Sequence, residues 1–453
     1  MSSVTVARSA PADVGRRSWA GDPQARRSHD VLLGFLVFLV YSRVFAVAAQ
    51  RFGIPSPLQP LVAIAFVWVW WRQKGSATAA AATRTFMLAI GVFVLATLPG
   101  LLQPHPSPTI GMLSIIGQDT LFVAALVYVT VARHSIASAA WGMIAALALL
   151  SATTIASTLD IDIADGFWGL ARTSEQLISD VDEGERAIGP YDDPNFFGQA
   201  LVILLAPAFE RSRRAPSRRG RVVAGATVLA GLAAIASTYS RGAMIGTALL
   251  IAYQLWRDPP PLRRFAPAFV AGVVALAVIA PGSVIGRLSS VSDAWPGNAA
   301  DATDVSIRGR ASEAIAAISM FRDEPLTGVG YGAYDERYLE FGSTIGLDPR
   351  RDERAAHNQY LEIAGETGMI GLAAAAVTAA IIWRSTRRRV VDRWGDRDLR
   401  TIATGFRGSV IGFAVTAAFL HDVHPRPWML CLGLAVAAGA AAPTPRGPAG
   451  ATG

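Results

Sequence analysis

The residues best suited to chemistry stand beside long apolar segments. His357 begins the sequence His-Asn-Gln-Tyr at residues 357–360, directly after the polar stretch 286–357. A histidine at such a position is either an interfacial residue at a helix start or a proton acceptor for a hydroxyl nucleophile, because an imidazole can exchange protons near neutral pH. We favour the proton acceptor.

Two arginines lie where a positive charge is costly unless it meets an anion. Arg241 follows Ser240 and joins two apolar segments with almost no loop between them, and Arg186 stands just before another apolar segment. A guanidinium presents a planar fork of donors that matches phosphate oxygens. Both are therefore candidate phosphate contacts, although a surface arginine on an outer turn is the alternative for Arg241.

Other reactive patterns are weak. The glycines within residues 328–332 have phosphate-loop spacing, but no strand precedes them and no Lys-Ser/Thr pair follows, so a tight turn is predicted. His421 and His424 would need a third ligand to hold zinc. The single cysteine, Cys431, excludes an internal disulfide and a cysteine-based metal site. We expect no metal and no cofactor.

The elements that must position these residues are apolar. The chain is 52% hydrophobic and 17% charged, against roughly a quarter charged in soluble proteins. Apolar runs of about 17 residues or more recur, each long enough to cross a membrane. Since backbone groups in lipid must be satisfied within each segment, we predict an all-α polytopic membrane protein of about twelve spans. These are 31–50, 58–71, 86–102, 110–131, 136–157, 194–209, 222–239, 242–256, 265–285, 358–383, 401–420 and 427–442.

Local patterns within these segments give further expectations. Gln118 and Asp119 fall inside a predicted span and should face protein and not lipid. Asp193 or Asn195 is expected to cap the span at 194–209, with Pro194 in its first turn.

Charge sets the predicted topology. With the N-terminus in the cytoplasm, the inside loops carry 25 basic residues and the short outside loops carry three. This asymmetry follows the positive-inside rule and accounts for the net charge of +7 together with attraction to membrane lipids, so no nucleic-acid partner is predicted. Two long outer loops, 158–193 and 286–357, hold 22 of the 34 acidic residues.

The predicted organisation has five parts. They are a disordered cytoplasmic tail at 1–30, spans one to nine at 31–285, the extracytoplasmic loop at 286–357, the last three spans at 358–442 and a cytoplasmic tail at 443–453. The large loop contains an amphipathic helix ended by Pro325, with its apolar face toward the bundle or lipid. That face comprises Ile307, Ala311, Ala314, Ile315, Ile318 and Phe321.

Several stretches in this order resemble the O-antigen ligase and O-antigen polymerase family of bacterial membrane glycosyltransferases. They are Arg-x-x-Gly-x-x-x-Asp-Pro-Asn at 186–195, Ser-Arg-Gly at 240–242, the arginine and glycine region at 310–332, His-Asn-Gln-Tyr-Leu-Glu at 357–362 and Glu-Thr-Gly-Met-Ile-Gly-Leu at 366–372. Each is weak alone, but the ordered set is fairly specific.

The resemblance implies a C-type glycosyltransferase fold in the bacterial plasma (inner) membrane, with the active site on the extracytoplasmic side. Such enzymes move a glycan from an undecaprenyl-pyrophosphate carrier to a hydroxyl acceptor. By resemblance, Arg241 and Arg310 match the arginines that neutralise the pyrophosphate, and His357 matches the histidine near the acceptor hydroxyl. The family often has Trp four residues after the loop arginine, whereas this chain has Ala314, so Arg308 is the alternative to Arg310.

The same motifs lead us to assign Asn358 and Tyr331, with Arg186 and Arg308, to substrate binding. The sequence does not choose among a polymerase acting on a lipid-linked glycan, a ligase acting on lipid A core and a protein O-oligosaccharyltransferase. A transporter or flippase of lipid-linked glycan and a non-catalytic scaffold also stay open.

Overall fold

The computed structural model describes residues 23–73, 75–161, 164–175, 185–257, 305–342, 354–386, 397–421 and 425–440. Within these ranges the chain forms fifteen α-helices, three short 3₁₀ helices and one two-stranded sheet. The predicted all-α class is therefore confirmed, apart from a small hairpin that the sequence did not indicate.

The helices are α1 Pro23–Ser42, α2 Val44–Phe52, α3 Leu58–Gln73, α4 Ala77–Thr97, α5 Ser107–Ala132, α6 Ile136–Thr158, α7 Ala164–Gly169, α8 Pro194–Arg214, α9 Arg218–Ser237, α10 Arg241–Arg257, α11 Val305–Asp323, α12 Tyr334–Gly342, α13 Gln359–Ser385, α14 Arg397–Thr416 and α15 Pro425–Ala440. The 3₁₀ helices are Leu98–Leu102, Gly189–Tyr191 and Ala417–Phe419. Strands β1 Thr173–Glu175 and β2 Glu185–Ala187 pair antiparallel, with Thr173 opposite Ala187.

Among the described residues, six helices are long and apolar enough to cross a membrane, and seven if the pair α1–α2, bent by 61°, counts as one. The chain is therefore a multi-pass membrane protein. Helices also form at the predicted spans 194–209, 242–256 and 427–442, but they do not reach the same length and apolarity. The predicted span 265–285 lies outside the described residues, so the count of twelve stays a prediction.

Helix α8 lies at the centre of the bundle. It packs against α6, α9, α10 and α14, and the run from Phe196 to Arg211 is buried on all sides. Every side chain from Ala200 to Phe209 is apolar, as expected for a helix buried on all sides in a core. Asp193 caps it, because its Oδ1 accepts from the backbone N–H groups of Asn195 at 2.7 Å and Phe196 at 3.1 Å. The predicted cap is confirmed for Asp193.

An ion pair ties α5 to α15. Arg426 donates to Asp119 Oδ1 at 2.6 and 2.7 Å and lies over the Phe122 ring at 4.8 Å. Asp119 is buried, which confirms that it faces protein. The same expectation for Gln118 is wrong: that side chain is exposed and donates to Ser114 one turn earlier on α5, at 3.2 Å.

The predicted amphipathic helix exists as α11. Its larger apolar face was expected to lie toward the bundle or lipid; the bundle alternative is wrong, and the lipid alternative stays a prediction. Ile315 and Ile318 are 40% and 39% exposed. The buried side chains of α11 are instead Ser312, Glu313, Ala316, Ala317 and Met320, and Ala317 and Met320 lie against Gly365 of α13. The close approach of the two helices explains which face of α11 is buried. A Cβ added to Gly365 of α13 would lie only 3.1 Å from the carbonyl oxygen of Ala317.

The glycine-rich segment is a turn, as predicted, and it interlocks with a break in α13. Gly368 has φ +61°, which interrupts the helix. Val329 N–H donates to Gly365 O and Gly330 N–H to Glu366 O, both at 3.0 Å, and Met369 N–H donates to Pro325 O at 2.9 Å. The break thus supplies the hydrogen-bond partners that hold the α11–α12 unit on α13.

Candidate functional site

His357 is held at the start of α13 by contacts to one of its ring nitrogens. Its Nδ1 lies 3.1 Å from Glu313 Oε2 and 3.0 Å from the Ala355 carbonyl oxygen. Both neighbours are acceptors, so Nδ1 carries the proton, and in the neutral ring Nε2 has the lone pair. The residue also adopts φ +46°, a conformation uncommon outside glycine. The arrangement leaves Nε2 as the basic atom.

Glu313 is the centre of this cluster. It is fully buried on α11, and Arg354 lies 2.8 Å from its Oε1 while His357 contacts Oε2. A buried carboxylate needs such partners, because an unpaired buried charge is costly. Tyr334 donates its hydroxyl to the Glu313 carbonyl at 2.6 Å, and burial raises the pKa of Tyr334, so the hydroxyl keeps its proton. The carboxylate is thus held by Arg354 and His357, and the Tyr334 hydroxyl anchors the backbone that carries it.

A second histidine extends the site toward the bundle centre. The ring of His421 lies 5.0 Å from the ring of His357 and 4.9 Å from the ring of Phe196. Phe196 is in the first turn of α8, below the Asp193 cap, and His421 follows the 3₁₀ helix after α14. Elements α8, α11, α13 and α14 therefore meet around His357.

Arg186 on β2 and Arg241 at the start of α10 both lie near the turn between α9 and α10. Arg186 is 6% exposed, and its Nε donates to Thr238 O at 3.0 Å. The next residue, Tyr239, has φ +51°, and Arg241 begins α10. Gly242 packs closely on Phe419: a Cβ added to the glycine would lie 2.7 Å from the Cβ of Phe419. Since Phe419 precedes His421 by two residues, the turn with Arg241 packs on the segment that carries His421.

Arg310 and Arg308 both belong to α11. Arg310 precedes Glu313 by three residues, so the two share a helix face. Arg308 has a buried Nε without a hydrogen bond among the described residues. The choice between the two arginines as the phosphate contact stays open.

Asn358 and Tyr331 make structural contacts. Asn358 caps α13, with Oδ1 accepting from the N–H groups of Tyr360 at 3.1 Å and Leu361 at 3.2 Å. Tyr331 is 4% exposed, and its ring meets that of Phe93 edge-on at 5.6 Å. A role for either residue in substrate binding stays a prediction.

Sequence reasoning did not select Glu313 or Arg354. The signal for Glu313 was a single carboxylate in the middle of a helix with apolar neighbours, three residues after Arg310. Arg354 was one of several arginines in the loop 286–357. Across the described residues no three histidine, cysteine or carboxylate groups gather as a metal site, and His424 lies outside those residues.

Comparison with known families identifies part of the chain. Residues 226–391 match the family model described as O-antigen ligase. The match contains Arg241, Arg308, Arg310, Glu313 and His357, whereas Arg186 lies before it. No curated protein matches the chain significantly. The family resemblance predicted from the sequence is confirmed over residues 226–391: this segment, which contains Glu313 and His357, matches the O-antigen ligase family.

Proposed function

We propose that this protein transfers a glycan from an undecaprenyl-pyrophosphate carrier to a hydroxyl acceptor during assembly of a surface polysaccharide, as a ligase or a polymerase. The observation that carries the proposal is the pairing of His357 Nδ1 with buried Glu313, which leaves Nε2 as a base. The O-antigen ligase match over 226–391 supports the reaction class.

These groups have the following roles in the proposed reaction. The acceptor oxygen bonds to the anomeric carbon as the bond from that carbon to the phosphate oxygen breaks. The electron pair leaves with undecaprenyl pyrophosphate, and the hydroxyl proton passes to Nε2 of His357. Glu313 stabilises the imidazolium that results, with Arg354 balancing the charge of Glu313. A positioned base of this kind contributes about 10²–10⁴-fold in rate.

The arginines act on the leaving group. Arg241 is proposed to neutralise the pyrophosphate from the start of α10, with Arg310 or Arg308 contributing from α11 and Arg186 from β2. Fixed guanidinium groups in a partly dry site stabilise developing negative charge, and loss of one such donor costs about 10²–10³-fold. The site is proposed to face the outer side of the plasma membrane, where the positive-inside asymmetry puts residues 286–357.

Analysis of surface polysaccharide and carrier-linked glycan in a deletion strain tests this function. Full-length chains accumulating on the carrier would identify a ligase or a protein transferase, and single repeat units would identify a polymerase. Wild type should restore the surface glycan, whereas His357→Ala should not. Lipid-linked glycan retained on the inner leaflet would instead support a flippase and reject the proposal.

A further inference from the structure

A polar cavity of about 220 Å³ lies beside the proposed site, between the C-terminal ends of α6 and α9 and the β1–β2 hairpin. It is separate from the contacts of His357, Glu313 and His421 described above. Its wall is rich in hydroxyl and carboxylate groups, including those of Thr154, Ser157, Thr158, Asp160, Glu185 and Ser237.

The hydroxyls in this wall present acceptors. Thr154 donates to Leu150 O at 2.7 Å and Thr158 to Thr154 O at 2.9 Å. Ser237 donates to Ala233 O at 3.2 Å. A hydroxyl has one proton and two lone pairs, so each of these groups has used its proton and keeps lone pairs for a ligand.

The charged groups add to this excess of acceptors. Asp160 and Glu185 contribute carboxylates, which only accept hydrogen bonds when ionised. The one arginine in the wall, Arg172, already donates to Asp192 at 2.5 Å and to Gly189 O at 3.2 Å. Because Arg172 is paired with Asp192, the carboxylates of Asp160 and Glu185 leave the wall with an excess of negative charge, which disfavours a phosphate and suits a neutral ligand with many hydroxyl donors.

The hairpin puts this cavity beside Arg186, one of the proposed phosphate contacts. Side chains alternate along a strand, so Glu185 and Ala187 face the cavity while Arg186 faces the opposite side and reaches Thr238 O. Ser237 and Tyr239, on either side of Thr238, also line the cavity. A group bound there would lie one strand thickness away from Arg186.

We propose that this cavity binds a neutral sugar unit of the glycan, an assignment that rests on the proposed function. Hydroxyl groups of the sugar donate to the carboxylates of Asp160 and Glu185 and to the lone pairs of the threonine and serine hydroxyls. The carrier pyrophosphate meets the arginines on the other side of β2. The cavity therefore selects for an uncharged sugar next to the phosphate site.

Protection of an introduced thiol tests the binding. The only native thiol, Cys431, is fully buried, so Thr173→Cys on β1 gives one reactive thiol at the cavity wall. The purified full chain is labelled with a fluorescent maleimide in the presence of the lipid-linked glycan extracted from its host, the free oligosaccharide released from that extract by mild acid, or inorganic pyrophosphate. Glu336→Cys, at an exposed position of α12, is the matched control.

Free oligosaccharide and lipid-linked glycan should each slow labelling of Thr173→Cys about tenfold at about ten times the dissociation constant, and neither should affect Glu336→Cys. The added substitutions Asp160→Asn and Glu185→Gln should weaken that protection at least about tenfold, since charge-assisted hydrogen bonds are lost; added Glu336→Gln should not. Protection by pyrophosphate, or none by either glycan, would overturn the proposal.

Activity separates this proposal from the proposed function. If His357→Ala abolishes surface glycan but neither glycan protects Thr173→Cys, the cavity assignment alone fails. If the glycans protect Thr173→Cys but His357→Ala restores surface glycan fully, the cavity binds sugar and the catalytic assignment fails.

Discussion

At the scale of single residues, Glu313 determines which nitrogen of His357 can act as a base. Its carboxylate contacts Nδ1 and is itself paired with Arg354. The imidazole is thereby oriented before a substrate arrives, as in other sites where a carboxylate fixes a histidine tautomer.

Glu313→Gln keeps the shape of the side chain but removes its charge. We expect kcat for glycan transfer to fall about 10–100-fold, because the imidazolium loses its stabilising partner, while KM for the lipid-linked glycan stays nearly unchanged. Steady-state kinetics on the purified protein measures both constants. Glu336→Gln, on the exposed face of α12, is the control and should behave as wild type. A change in KM alone would contradict this role.

His357 could be proposed from the sequence because it opens the His-Asn-Gln-Tyr motif between a polar stretch and an apolar span, and its role stays a prediction. Glu313 could not be proposed, because the larger apolar side chains of α11, Ile315 and Ile318, do not mark the face that is buried in the protein. The buried face of α11 includes the small residues Ala316 and Ala317, which stand out little in a hydropathy pattern.

At the scale of elements, the broken helix α13 fixes the position of His357 relative to α11. Gly368 and the glycine-rich turn hold each other through backbone hydrogen bonds, and the turn leads into α12, whose Tyr334 reaches Glu313. The break was not predictable, because the sequence of α13 reads as one continuous apolar span.

Gly368→Ala should destabilise the protein by at least about 2 kcal/mol, since positive φ disfavours a side chain and the new Cβ would overlap the Leu326 backbone. Gly91→Ala, in the middle of α4 with open space around it, is the matched control. The midpoint of thermal unfolding in detergent compares the two variants. Equal midpoints would show that the break in α13 is not needed for stability.

The Asp119–Arg426 pair is a second link between elements. Asp119→Asn should destabilise the protein by about 1–3 kcal/mol, because the partly exposed Arg426 loses its charge-assisted hydrogen bonds to the carboxylate between α5 and α15. Arg426→Met combined with Asp119→Leu should recover most of that loss. The midpoint of thermal unfolding of both variants and wild type in detergent measures this coupling. A double variant no more stable than Asp119→Asn would contradict it.

At the scale of the whole molecule, the distribution of arginines predicts which ends of the helices face the cytoplasm. The site is proposed to lie on the opposite, acidic side. This prediction of the topology rests on hydropathy and charge, which can be read from the sequence because both are averages over many residues. The β1–β2 hairpin was not predicted, since strands of three residues leave no periodic signal.

Glu336→Cys should react with a membrane-impermeant maleimide in intact spheroplasts, because α12 belongs to the predicted outer loop. Arg219→Cys, exposed at the start of α9 in a predicted inner loop, should react only after the membrane is opened. Fluorescence of the purified protein after labelling measures both. The reverse pattern would put the proposed site on the cytoplasmic side.

The most direct test of the catalytic account is release of undecaprenyl pyrophosphate by purified protein in liposomes that contain extracted lipid-linked glycan and an acceptor. The account predicts steady release by wild type and a rate lowered about 10²–10⁴-fold by His357→Ala. Release at the wild-type rate by His357→Ala would contradict the assignment of Nε2 as the base. No release by the wild-type protein would contradict the reaction itself.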